Sequence, residues 1–145
     1  AGRDELLLIV PPAHSLAGEK SVGAEQLAAL PLLHRDPGNA IRELVDQFFA
    51  AAGVAPEELN VAAELGSLDT VKHLVAHGFG YAIASRAAIL NEIRAGTLVG
   101  VSLDPPLYTP LEVIVLKDKF RSRLVNTFAD FVIEAIARLS ADRNP

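Results

Sequence analysis

The stretch from Glu64 to Ser85, ELGSLDTVKHLVAHGFGYAIAS, restricts what this chain can fold into more than any other, because it reads as strand end, helix, glycine turn and strand in succession. Ser67 stands where an N-cap belongs and Asp69 falls in the first turn, so a side-chain oxygen and a negative charge both meet the unpaired N–H groups of a helix start. Leu68, Val71, Leu74 and Val75 then recur at helical spacing. Gly78 ends the helix where a residue without Cβ turns left-handed most easily, and the small apolar run Tyr81-Ala82-Ile83-Ala84 follows as a buried strand. A capped helix feeding a buried strand is half of an α/β layer.

The remainder of the chain continues that alternation. Glu5 to Val10 is an apolar strand closed by Pro11-Pro12. Ser21 is a candidate cap for a short helix through Leu27 to Leu30, before a strand at Pro31 to His34 and the turn Arg35-Asp36-Pro37-Gly38-Asn39. The clearest helix comes next, with Ile41, Leu44, Val45, Phe48, Phe49 and Ala52 on one stripe, and Gly53 and Pro56 end it. Asn60 to Leu65 is a strand leading into the stretch already described. Arg86 to Ile93 reads as a helix stopped by Gly96, and Thr97 to Leu103 as a strand broken by Asp104-Pro105-Pro106. Leu111 to Leu116 is the most β-like run, and Ser122 opens a long terminal helix striped by Leu124, Val125, Phe128, Phe131, Val132 and Ile136. Strands alternating with helices predict a largely parallel sheet with helices on both faces, and in such sheets ligands bind beyond the carboxyl ends of the strands, where helix N-termini point. Two loops qualify, Arg35 to Arg42 and Leu65 to Thr70.

Composition narrows the function. Half of the 145 residues are hydrophobic and 21% are charged, enough to bury a core. A net charge of −5 argues against this polypeptide alone holding nucleic acid, which needs a basic face. With no cysteine there is no disulfide framework, thiolate nucleophile or cysteine zinc site. No apolar run approaches the roughly 20 residues that span a bilayer, and no signal-peptide pattern opens the chain, so a soluble, cytoplasmic protein without a membrane partner is expected.

Several of these elements together resemble the LysR-type transcriptional regulators. The run SLDTVKHLVAHGFGYAIASRAAI is similar to that family's serine, Leu-Val helix and Gly-x-Gly pattern, and ELLLIVPPAHSLAG, IRELVDQFF, GTLVGVSL and LEVIVLKDKF follow in matching order. The resemblance implies the effector-binding domain of the type II periplasmic-binding-protein fold, an α/β architecture of Rossmann-like lobes with a mixed, mostly parallel sheet. On that basis residues 18–104 are expected to form effector-binding lobe two, and residues 1–17 with 105–145 the crossing strand and the returning part of lobe one. The family's winged helix-turn-helix and the first part of lobe one are expected to lie outside these residues, and DNA to be reached only through that absent N-terminal domain. A small, anionic effector bound between lobes, a homo-oligomer (dimer or tetramer), no cofactor and no enzymatic activity are implied as well. A stand-alone solute-binding protein or small enzyme on the same lobes is the alternative. Ser85 departs from the pattern, standing where many relatives carry proline.

The expected effector contacts are Asn39, Ala40, Ile41 and Arg42 on the first loop and Ser67 and Leu68 on the second, with Thr70 beside them. Helix-start N–H groups with Asn39 and Arg42 suit a carboxylate or sulfate. The same residues also read as a plain turn in which Asn39 caps the helix and Arg42 pairs with Asp46 at i,i+4. His73 and His77 have the i,i+4 spacing of two metal ligands but lack a following glutamate and a third ligand, and read as surface histidines. His34 with Asp36, and His14 beside Ser15, are hydrolase-type pairs without a nucleophile elbow, and read as loop residues. Lys117, Lys119, Arg121 and Arg123 crowd the turn before the last helix, which reads as solvated.

Overall fold

The computed structural model describes residues 2–114 and 122–141. The chain divides into two compact units, residues 5–107 and residues 1–4 with 108–145. Its strands are β1 (Gly2–Val10), β2 (Ser21–Gly23), β3 (Leu32–Arg35), β4 (Val61–Leu65), β5 (Ala82–Ser85) and β6 (Val99–Leu111). Its helices are α1 (Ala24–Ala28), α2 (Ala40–Ala51), α3 (Leu68–Ala76), α4 (Leu90–Ala95) and α5 (Arg123–Ala141).

The 5–107 unit is built around the second half of β1. Leu6 to Val10 are all buried, and because side chains alternate across a strand the run divides between two layers. Leu6, Leu8 and Val10 pack with Leu27 of α1, with Val45, Phe48 and Phe49 of α2 and with Tyr81, while Leu7 and Ile9 pack with Val71 and Val75 of α3 and with Ile89 and Leu98. Five consecutive apolar residues thus mark a strand buried on both faces. The sheet order is β2-β6-β1-β5, with β3-β4 as a separate pair. β2/β6 and β3/β4 are parallel and β1/β5 is antiparallel, which makes the architecture mixed α/β as expected. A parallel bridge between Leu32 and Tyr81 links the two sheets, flanked by Leu33 N–H to Tyr81 O at 2.8 Å and Tyr81 N–H to Pro31 O at 2.9 Å. Gly80 makes this approach possible, since a Cβ there would lie 2.6 Å from the Pro31 carbonyl oxygen.

Four expectations need correction. Ser21 is not a cap but opens the short strand β2, and α1 starts from Gly23, whose N–H is held by the Gln26 side chain at 2.9 Å. The helix read over Arg86 to Ile93 is a 3-10 turn at Ala87–Ile89 followed by α4, and Gly96 stops it with φ +73. The strand read as ending at Leu103 continues through Asp104-Pro105-Pro106 to Leu111. β2 pairs with β6 only as far as Gly23 opposite Asp104, and both prolines are exposed, so on that side their missing N–H groups interrupt no ladder. Finally, of the run Leu111 to Leu116, among the described residues 111–114 only Leu111 is in a strand. Residues 112–114 are irregular, and 115–121, with Lys117, Lys119 and Arg121, lie outside the described residues.

In the other unit, α5 is opened by Ser122, whose Oγ accepts the Val125 N–H at 3.2 Å. Its apolar stripe is open to solvent: Leu124, Phe128 and Phe131 are 78%, 66% and 66% exposed. The Arg3 guanidinium lies 4.3 Å from the Tyr108 ring centroid.

Candidate functional site

β3 and β4 run side by side in parallel, with His34 opposite Glu64 and Arg35 opposite Leu65, so they deliver two helix N-termini to neighbouring positions. After β3 comes the turn to α2, where Asn39 Oδ1 accepts the Ile41 N–H at 3.0 Å. After β4 comes Ser67, whose Oγ accepts the Thr70 N–H at 3.4 Å at the start of α3. Both caps are those expected from sequence. Helix geometry leaves the N–H groups of Ala40 and Arg42 on one side, and of Leu68 on the other, without intrahelical partners.

Side chains stitch the two loops together. Arg35 donates through Nε to Leu65 O at 3.3 Å and through Nη2 to Gly66 O at 2.9 Å. Asp36 lies so close to Gly66 that a Cβ there would be 2.7 Å from Asp36 Oδ2. Arg42 forms the expected pair with Asp46, at 3.6 Å, but its shorter contacts are to Arg35 O at 2.8 Å and Glu64 Oε1 at 3.1 Å. The hydrolase-type pairing of His34 with Asp36 is replaced by another: His34 is buried and its Nε2 meets Asp46 Oδ1 at 2.8 Å. A chain of contacts therefore runs His34, Asp46, Arg42, Glu64 across α2, β3 and β4. Beneath Arg35 and Arg42 the interior gap is only about 10 Å³, with no room for more than a water, so a ligand here must sit on the strand ends.

At the same end of the sheet is a group that the sequence did not single out. The main-chain N–H of Arg86 donates to Glu5 O at 2.8 Å, and its Nε donates to Glu5 Oε2 at 3.1 Å with Nη2 on the same oxygen. Ser102 Oγ donates to Glu5 Oε1 at 2.9 Å. These residues come from three strand segments up to 97 positions apart, a separation at which no local pattern signals a contact.

A larger hollow, about 340 Å³, lies between α3 and α4, lined by Asp69, Lys72, His73, His77, Glu92 and Thr97 among others. Lys72 is clamped there by Glu92 at 2.8 Å, Asp69 at 3.3 Å and Ala88 O at 3.4 Å. The hydrogen bond to Glu92 is the main cause that raises the Lys72 ammonium above its ordinary 10.5, and the same bond holds the Glu92 carboxyl below 4.5. His73 and His77 lie with ring centroids 4.3 Å apart, and His77 Nδ1 is 2.8 Å from His73 O. Among the described residues no three side chains of metal-binding type converge. His14 is used within its own loop, its Nδ1 accepting the Leu16 N–H at 3.1 Å.

The profile of the LysR substrate binding domain family matches residues 1–137. Among curated proteins the chain is 35% identical over 129 residues to the HTH-type transcriptional regulator YeiE of Escherichia coli K12, covering 88% of this chain and 43% of that protein. It is 29% identical over 131 residues to a probable RuBisCO transcriptional regulator of Cyanophora paradoxa, covering 90% and 40%. The chain thus spans less than half the length of these relatives. Among solved structures it is similar to the Synechocystis PCC6803 CcmR regulatory domain in complex with 2-PG, with a TM-score of 0.75 at 22% identity over 93% of this chain and 64% of that one. It is similar also to the effector binding domain of QuiR in complex with shikimate, with a TM-score of 0.71 at 18% identity over 94% and 63%. The fold is that of the type 2 periplasmic-binding proteins, and the chain belongs to the LysR substrate-binding domain family.

Proposed function

We propose that this chain is the effector-sensing part of a LysR-type transcriptional regulator and that it takes a small anionic metabolite at Asn39, Ala40, Ile41, Arg42, Ser67 and Leu68. The observation that carries the reading is the pairing of β3 with β4, which sets two capped helix N-termini beside one another with Arg35 and Arg42 close by. Helix-start N–H groups and guanidinium donors are the partners that oxoanions take. Two structural neighbours hold small molecules, 2-PG and shikimate, which supports a ligand of that size. No covalent chemistry is required, and we assign no enzymatic activity. The mechanism is linkage: the ligand binds one conformational state of the domain more tightly and shifts the equilibrium of the cytoplasmic homo-oligomer, which reaches DNA through a separate N-terminal domain. Lobe two, the effector-binding lobe, is assigned to residues 18–104.

The test is a two-dimensional amide NMR titration of the chain with sulfate, phosphate and a panel of carboxylates. Saturable shifts at residues 39–42 and 67–70 are expected for at least one of them. Saturable shifts confined to other positions would refute this location.

A further inference from the structure

Strand direction brings one more cation to the end of the sheet where the proposed site lies. β3 and β4 run parallel and end at Arg35 and Leu65, so both loops of the proposed site depart from the same end. The bridge of Leu32 to Tyr81 is parallel too, so β5, and Arg86 that follows it, end on that same side. Leu6 pairs with Ser85 in the antiparallel β1/β5 ladder, which brings Glu5 opposite Arg86, and Ser102 of β6 reaches Glu5 from the next strand. Arg86, Glu5 and Ser102 are therefore gathered at the strand ends from which the two loops depart.

Of the three arginines near these strand ends, Arg35, Arg42 and Arg86, the first two are held by main-chain carbonyls. Arg35 holds two main-chain carbonyls, and Arg42 holds a main-chain carbonyl with two carboxylates. Arg86 differs. Its Nε and Nη2 both point at a single oxygen, Glu5 Oε2, because the other oxygen, Oε1, is taken by Ser102. A guanidinium edge is best matched by two oxygens in parallel, and Glu5 offers it one. The Arg86 side chain is also 36% exposed.

We propose that the Nε/Nη2 edge of Arg86 is an oxoanion contact of the effector site and that Glu5 is the resident carboxylate that occupies it until a ligand takes its place. The inference rests on the strand-end reading of the site. A carboxylate or phosphate group carries two free oxygens in the fork geometry that Glu5 cannot present while bonded to Ser102. Exchange leaves Glu5 with Ser102 and releases the β1 to β5 side-chain link. β1 and β6 are the two strands that continue from one unit into the other, so the group released lies on a connecting strand, at the first residue of the 5–107 unit.

The experiment is an NMR titration of the chain with inorganic phosphate and, in parallel, with acetate, observing the Arg86 Nε–H together with the amides of residues 39–42 and 67–70. The variants are Glu5→Gln and Arg86→Lys. The expected result is that the Arg86 Nε–H shifts with the same midpoint as the loop amides. Glu5→Gln, which removes the competing charge, should tighten binding several-fold, and Arg86→Lys, which keeps the charge but not the fork, should weaken it about tenfold. The anion that gives the larger response identifies the phosphate or carboxylate source. If the loop amides shift while the Arg86 Nε–H stays fixed and both variants bind as the parent does, this inference is overturned and the strand-end site stands. If neither anion moves the loop amides, the site itself is refuted and the role of Arg86 with it.

Discussion

Arg42 sits where the fold and the proposed ligand site meet, and its replacement by alanine tests both. The guanidinium donates to Arg35 O at 2.8 Å and to Glu64 Oε1 at 3.1 Å and lies 3.6 Å from Asp46, with only a fifth of the side chain exposed. A charged group bonded to a carbonyl contributes about 1.5 kcal/mol at the lower end of its range. Glu64 and Asp46 are each close to half exposed, so solvent screens these two pairs and together they add no more than about 0.5–1 kcal/mol. Arg42→Ala should therefore cost about 2 kcal/mol, a fall in Tm of roughly 6–10 °C for a protein of this size. Glu64→Gln, which removes one screened partner and leaves the carbonyl bond, should cost about 0.5 kcal/mol. Thermal melts followed by circular dichroism measure both, and calorimetry with the anion that binds best measures the ligand, whose affinity should fall in Arg42→Ala. Equal melting losses for the two variants would refute the claim that the carbonyl bond dominates, and unchanged affinity in Arg42→Ala would remove Arg42 from the ligand site.

Three further outcomes can be measured by the same melts. Gly80→Ala should cost about 2 kcal/mol or more, because its Cβ would lie 2.6 Å from the backbone oxygen of Pro31 and no side chain can move to relieve it; a neutral effect would refute the close approach. Tyr81→Phe should cost only about 1 kcal/mol, since Leu27 O, which accepts the phenol at 3.0 Å, keeps the Leu30 N–H. Burial pushes the Tyr81 phenol up from 10.0, so the native state keeps its proton where the unfolded chain loses it, and the parent should lose more stability above pH 10.0 than Tyr81→Phe does. For Lys72 and Glu92, the raised ammonium and lowered carboxyl mean that their pairing contributes fully between 4.5 and 10.5, and is lost as pH falls through the Glu92 value or rises through the Lys72 value. Glu92→Gln should cost about 1 kcal/mol at neutral pH and flatten the acid limb of the stability profile; an unchanged acid limb would refute the pairing.

What the sequence made legible is what is local. Asn39 and Ser67 as caps, Gly78 and Gly96 as left-handed stops, and the stripes of α2 and α3 are each set within a few residues, and the structure has them where the residues predict. β2 was hidden because three residues carry no periodicity and Ser21 fits a cap as well as a strand. The sequence understates β6 because proline stops a ladder only where a partner waits for its N–H, and the position of β2 is not a local property. The same limit applies at the site. The two loops could be proposed from turn chemistry, whereas the His34 bond to Asp46 and the Glu5, Arg86 and Ser102 cluster depend on which strands become neighbours.

The bridge at Tyr81 has a further consequence for how the 5–107 unit opens. The four-stranded and two-stranded sheets are joined in main chain by a pair of bonds flanking one residue, Leu33 N–H to Tyr81 O and Tyr81 N–H to Pro31 O. The β3-β4 ribbon, which carries both loops of the proposed site, is thereby hinged on a narrow seam rather than zipped along a full ladder. With Leu32 and Leu33 of β3 buried in the two cores, side-chain packing rather than main-chain bonding holds the ribbon to β1, and a sub-global opening of β4 and its loops is expected before the central strands lose protection. A ligand at the proposed site, bracing both loops, is expected to slow that opening.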